Sequence, residues 1–194
     1  MNYEVLLYYN FTSVEDPDTF CREHKQFLSD LGVKGRVYVG AEGLNGTIGG
    51  TPEQMQAYRE FVWSIDGFED TEFKTEASDV IPFPRLTCKV RDEIVSIHVH
   101  GLDPDEGGRH LSPSEWRKMM ESGKDYVMID VRNDYESEVG HFEGAITPQV
   151  ENFYDFPQWL DDADIPKNKK ALMYCTGGIR CEKYSVRMKQ KGWD

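Results

Sequence analysis

The segment that most restricts the architecture lies near the C-terminal end. Ala171-Leu172-Met173-Tyr174 is a short, nearly continuous apolar run, as buried parallel strands are. It passes directly into Cys175-Thr176-Gly177-Gly178-Ile179-Arg180, and a helix-compatible stretch follows over Cys181–Lys191. A cysteine at a strand end, two glycines and an arginine at a helix start form an anion-holding device. The glycines let backbone N–H groups turn towards the sulfur. The helix N-terminus adds partial positive charge and Arg180 a full one. All three favour the thiolate, so the Cys175 pKa is expected to be depressed. The bland alternative is a buried, inert cysteine beside a helix cap.

The surrounding sequence reads as parallel α/β. Ser112-Pro113-Ser114-Glu115 is a helix start with the pattern of a capping box. Tyr126–Val131 is a second buried-strand run, and a site at the carboxyl ends of such strands is the natural arrangement. The first half instead alternates as βαββαβ: strand Tyr3–Tyr9, a helix opened by Asp16-Pro17-Asp18 and ended by Gly32, and strand Val33–Val39. A turn at Glu42-Gly43-Leu44-Asn45-Gly46, a helix from Thr51 to about Trp63, and a strand over Glu72–Glu76 follow. That order is the split βαβ pattern of ferredoxin-like folds, which by itself fixes no function. Phe83–Val90 and Ile94–Val99 are expected to be extended. The turn-rich, acidic Gly101–Gly108 stretch marks a linker, taken as 101–111 between domains at 1–100 and 112–194.

Charge and cysteines narrow the function classes. The net charge of −13 argues against sequence-independent nucleic-acid binding by the chain as a whole. It is uneven: residues 165–194 hold eight basic and two acidic side chains. Lys167, Lys169, Lys170, Arg180, Lys183, Arg187, Lys189 and Lys191 are therefore either a phosphate-facing surface or ordinary solvated charge. No apolar run is long enough for a transmembrane helix and the first residues lack a signal-peptide plan, so a cytoplasmic protein is expected. In that compartment Cys21 and Cys88 are expected to be packing residues. Cys181 either partners Cys175 or packs in the core. His98 and His100, placed on one strand face, are too weak a pair to assign a metal, and no metal site is expected.

The motifs also carry a resemblance. Cys175–Arg180 resembles the active-site loop of rhodanese-family sulfurtransferases, Asp130-Val131-Arg132 that family's early DxR motif, and Gly140-His141-Phe142-Glu143-Gly144-Ala145-Ile146 its GHIxGA motif. The loop runs six residues from Cys to Arg; related phosphatases have one more, so this loop suits a persulfide better than a phosphate. With Glu42–Ile48, Lys89-Val90-Arg91-Asp92-Glu93-Ile94-Val95 and Cys175–Lys183, the whole chain resembles the bacterial tRNA uridine hydroxylase family.

The resemblance implies a ferredoxin-like (acylphosphatase-like) N-terminal domain and a rhodanese-like domain incomplete at its C-terminus, since the family continues beyond this point. It implies an oxidoreductase that hydroxylates uridine 34, the wobble position of tRNA, at carbon 5. Molecular oxygen would be the co-substrate, tRNA and a sulfur donor the partners, and no membrane is involved. The catalytic residue carried over is Cys175, passing through a persulfide, within the loop Thr176, Gly177, Gly178, Ile179 and Arg180. Cys181, Asp130 and Arg132 are candidate accessory residues, the last two as an ion pair beneath the loop. No cofactor is identifiable. His141 is either an acid–base group or structural, and Asn45 either a substrate contact or a left-handed turn residue. The alternatives are a thiosulfate-type sulfurtransferase and a non-catalytic RNA- or protein-binding module.

Overall fold

The computed structural model describes residues 2–123 and 125–193 and separates into two compact units, residues 1–95 and 96–194. In the first, β1 (Tyr3–Phe11), α1 (Pro17–Leu31), β2 (Lys34–Gly40), β3 (Gly43–Gly50), α2 (Pro52–Trp63) and β4 (Phe73–Ser78) follow one another as expected. The sheet order is β4-β1-β3-β2, all antiparallel. β5 (Leu86–Val90) extends it as a parallel edge strand on β2.

Local chemistry sets the ends of the helices. The Asp16 carboxylate accepts from the Thr19 N–H at 3.0 Å, Pro17 occupies the first turn, and Gly32 closes α1 in the left-handed conformation at φ 77°. Thr51 and Gln54 form a reciprocal capping box at the start of α2. Each helix then turns one stripe inward: Cys21, His24 and Leu28 on α1, Met55, Tyr58 and Val62 on α2. They meet Leu6, Tyr8, Val37, Val39, Leu44 and Ile48 from the sheet. Three buried polar side chains of this core are linked to one another. The Tyr8 and Tyr58 hydroxyls are hydrogen-bonded, and Tyr58 meets His24 Nε2 at 2.6 Å. Burial pushes the His24 pKa down to about 3, so the imidazole is neutral.

The structure corrects three local readings. Glu42–Gly46 is not one turn: only residues 41–42 turn, and Gly43 already begins β3. Asn45 is therefore not a left-handed turn residue. It is in β3, and its amide donates to the Ile94 carbonyl at 2.8 Å, while Glu42 accepts the Ile94 N–H at 2.7 Å. Two sequence motifs far apart are thus clasped through the backbone of one residue. Ile94–Val99 is not a strand. His98 has φ 57° and stacks on Tyr154, so it shares no strand face with His100.

In the second unit, α3 (Pro113–Glu121) has the capping box of Ser112 and Glu115, and β6 (Tyr126–Asp130) lies parallel to β7 (Lys170–Tyr174). Ile146 adds a single parallel bridge to Ile129. Between the strands come α4 (Asp134–Val139) and α5 (Phe156–Asp162), and α6 (Ile179–Gln190) follows β7. Phe156 packs edge-on to Tyr184 of α6, within a core that includes Met128, Ile129, Leu160, Leu172, Val186 and Met188. The turn-rich stretch before α3 is tied to α6: Gly108 N–H donates to Ser185 Oγ at 2.9 Å, and Lys189 donates to the Gly107 carbonyl at 2.6 Å. Among the described residues no helix is long and apolar enough to cross a membrane.

Gly43 permits the close approach of β3 to β1. It has φ 139°, and a Cβ there would lie 2.0 Å from the Asn10 carbonyl oxygen. Gly43→Ala is expected to destabilise the first unit by about 2 kcal/mol or more, read as a lowered denaturant midpoint. An unchanged midpoint would contradict this packing.

Candidate active site

The loop after β7 curls around its first residue. The Gly178 N–H donates to Cys175 Sγ at 3.0 Å. Gly178 has φ 102° and is the N-cap of α6, a conformation that a side chain would strain. The first turn of α6 brings Cys181 beside Cys175, with its backbone N–H donating to the Gly178 carbonyl at 2.8 Å. These contacts bring the Cys175 pKa down to about 5: the Cys181 thiol contributes most, then the Arg180 charge and the N–H groups of Cys181 and Gly178, against the opposing effect of burial. The Cys181 pKa is raised well above the ordinary thiol value, first by the adjacent Cys175 sulfur and then by burial. The two shifts run in opposite directions, which favours the thiolate on Cys175 and the thiol on Cys181.

Sequence reasoning named the N–H groups and Arg180 but missed the residue that positions Arg180. Glu136 of α4 takes both guanidinium nitrogens, at 2.6 and 2.8 Å, and also accepts the Thr176 hydroxyl at 2.5 Å. Burial alone would raise the Glu136 carboxyl; Arg180 and Thr176 hold it below its usual range instead. The available signal was the spacing of Glu136 from Asn133, which makes it the N3 residue of the α4 capping box. That reading would have assigned it to a helix start rather than to the loop.

Asp130 and Arg132 do pair, at 2.6 Å and with several hydrogen bonds, and Asp130 is fully buried. The same carboxylate accepts the Tyr174 hydroxyl at 2.9 Å and the Ser137 hydroxyl at 3.0 Å. Burial opposes its ionisation, and the hydrogen bonds from Arg132, Tyr174 and Ser137 outweigh burial and keep it low. Arg132 also donates to the Gly140 carbonyl at 2.6 Å. His141 Nδ1 lies 3.0 Å from the Ser137 carbonyl, a local contact that fixes the turn. The Gly140–Ile146 motif then returns to β6, where the Ile146 N–H meets the Met128 carbonyl at 2.7 Å.

The basic stretch does not form an unpaired cationic surface. Arg187 and Lys191 pair with Asp161, Lys169 with Asp125 and Arg180 with Glu136. Lys183 is buried, and Lys167 lies over the Trp193 ring while donating to the Lys191 carbonyl. Local ion pairs thus engage half of the basic side chains that the composition suggested for phosphate contacts. Cys21 and Cys88 are buried together in the first unit, with sulfurs 3.1 Å apart.

Comparison with known proteins agrees with this division. Residues 3–94 match the UPF0176 acylphosphatase like domain and residues 112–194 the rhodanese-like domain. The molecule is thus an acylphosphatase-like unit joined to a rhodanese-like one that carries a cysteine loop. A protein of Bacillus licheniformis called tRNA uridine(34) hydroxylase is 42% identical over 195 residues, covering 99% of this chain and 60% of that protein. One of the same name from Enterococcus faecalis is 40% identical over 197 residues, covering 100% of this chain and 62% of that protein. This chain is similar along its whole length to proteins called tRNA uridine(34) hydroxylase, and it carries the UPF0176 acylphosphatase like and rhodanese-like domains in that order. It spans about 60% of the length of these curated relatives. Among solved structures, an acylphosphatase from Coxiella burnetii aligns at 14% identity with a TM-score of 0.33, over 46% of this chain and 94% of that one.

Two measurements test the site. The rate of Cys175 alkylation by iodoacetamide should fall as pH drops through about 5, because only the thiolate reacts. Cys181→Ala should raise that midpoint, whereas Cys181→Ser, which keeps a donor, should largely preserve it; a wild-type midpoint near the free-cysteine value of about 8.5 would refute the arrangement. Separately, Glu136→Ala leaves the enclosed Arg180 unpaired and should cost the second unit roughly 3 kcal/mol in denaturant unfolding, with Glu136→Gln costing less.

Proposed function

We propose that this chain carries the catalytic cysteine of a tRNA-modifying oxidoreductase that hydroxylates uridine 34 at carbon 5. Molecular oxygen is the co-substrate and Cys175 passes through a persulfide. The observation that carries the reading is an ionised cysteine in a six-residue loop, within a chain about 40% identical along its whole length to proteins called tRNA uridine(34) hydroxylase. Cys175 is the reactive centre. Its thiolate attacks a sulfane sulfur in a donor and keeps it as a persulfide, while the donor's bond to that sulfur breaks and the rest of the donor leaves with the electron pair, as sulfite does from thiosulfate. The N–H of Gly178 and the charge of Arg180 stabilise the anion, while Thr176, Gly177 and Ile179 shape the loop. Asp130 and Arg132 act from beneath, by fixing the end of β7. tRNA is the macromolecular partner, met in the cytoplasm.

The loop length also favours a second reading, a thiosulfate-type sulfurtransferase that passes the same sulfur to an acceptor thiol. Both readings share the persulfide and differ in the product. Nucleoside analysis of tRNA from cells lacking the gene separates them. The expected outcome is loss of 5-hydroxyuridine at position 34, restored by the intact gene and not by its Cys175→Ser version. Unchanged hydroxylation in the deletion strain would remove the hydroxylase reading and leave the sulfurtransferase.

A further inference from the structure

The loop contains a second sulfur to which the persulfide step assigns no nucleophilic role. Cys181 is seven residues along when both cysteines are counted, in the first turn of α6. Side chains there lean towards the helix N-terminus, which is where the loop lies. The loop is closed at this point: Cys181 N–H donates to the Gly178 carbonyl at 2.8 Å, and Gly178 N–H to Cys175 Sγ at 3.0 Å. Gly178 is thus bonded to both residues, which holds Cys181 beside the Cys175 sulfur. Two thiols held side by side at one loop are placed for thiol–disulfide chemistry, since a persulfide is a disulfide with one end free. Cys21 and Cys88 also touch, but they lie in the interior of the other unit, away from any loop.

We propose that Cys181 is the resolving thiol of the Cys175 persulfide, discharging the sulfane sulfur as hydrosulfide and leaving a Cys175–Cys181 disulfide. The inference rests on the reading that Cys175 carries a persulfide. The step balances without another reagent. The Cys181 sulfur bonds to Cys175 Sγ, and the bond from Sγ to the outer sulfur breaks with its electron pair on the outer sulfur. The proton from Cys181 leaves with that sulfur, as HS⁻. The sulfane sulfur gains two electrons, and the two cysteine sulfurs supply them in forming the disulfide. A low-molecular-weight dithiol, oxidised in turn, restores both thiols.

Proximity lowers the barrier because the attacking group is already at the sulfur. Protonation times the attack. While Cys175 is a thiolate, the neighbouring negative charge keeps Cys181 protonated and unreactive. Once sulfur is loaded, the charge lies one atom further out, and that restraint on Cys181 weakens. An unused persulfide is thereby emptied rather than left to oxidise.

The test loads the full chain with thiosulfate, removes the excess, and follows sulfide release, intact mass and a peptide map in the absence of any other thiol. In the wild type, sulfide should appear in step with loss of the loaded sulfur. The product should be lighter than the starting protein by two hydrogen atoms, with the disulfide mapped to the 175–181 peptide. Cys181→Ser, which keeps a donor but not the nucleophile, should hold one extra sulfur on Cys175 and release none. Cys181→Ala should do the same if it loads. Loading of Cys181→Ser together with equally durable loading of the wild type, without sulfide or disulfide, overturns the resolving role. Failure of both the wild type and Cys181→Ser to acquire sulfur or release sulfide overturns the persulfide reading instead.

Discussion

The buried carboxylate of Asp130 is the contact on which the second unit's site depends. It is fully enclosed at the end of β6, so its charge is tolerable only because Arg132, Ser137 and Tyr174 all donate to it. Those three donors come from the turn after β6, from α4, and from the last residue of β7. One ionised group thus fixes the register of two strand ends and the start of a helix. The reactive loop begins at the next residue after Tyr174, so its first atom is set by this knot. Removing any one donor leaves a buried charge short of a partner, which is why the effect of such changes would reach the cysteine without touching it.

Glu136 continues the same logic one turn further along. It belongs to α4, the helix that Asp130 secures through Ser137, and it takes both Thr176 and Arg180. The loop is held at its second and sixth residues by a single carboxylate. Gly178 lies between those two fixed points and turns its N–H inward to Cys175 Sγ. The first unit is built differently. Its buried polar groups, Tyr8, Tyr58 and His24, are neutral and form a chain of hydrogen bonds inside an apolar sheet–helix core. It therefore needs no ion pair at its centre.

How much of this could be read from the sequence follows from the range of the forces involved. Helix ends were legible because their determinants are local: Asp16 and Gly32, Thr51 and Gln54, Ser112 and Glu115 act within a few residues. The strand order of the first unit followed from the order of elements. The Cys175 loop was legible because the N-cap glycine, the cysteine and the arginine are contiguous. Glu42, Asn45 and Ile94 were not, because that clasp joins residues about fifty positions apart and leaves only a glycine-rich motif that looks like a turn. Glu136 was missed for the same reason, and the basic stretch misled because composition counts charges without their partners. Asp161 and Asp125 lie outside the segment whose charge they offset.

The Arg180–Glu136 pair also limits how much the arginine charge alone can do for Cys175. An arginine alone beside the sulfur would act through its full charge, but here a carboxylate bound to both guanidinium nitrogens offsets much of that field. What remains is contact hydrogen bonding, which depends on direction and on distances near 3 Å rather than on net charge. The Gly178 N–H supplies it at 3.0 Å, and it acts only on an atom placed where Cys175 Sγ sits. Such a site stabilises one sulfur anion without creating a general well for anions. That fits a loop whose arginine is already paired, in an acidic chain whose basic end is partly paired with carboxylates from its own neighbours.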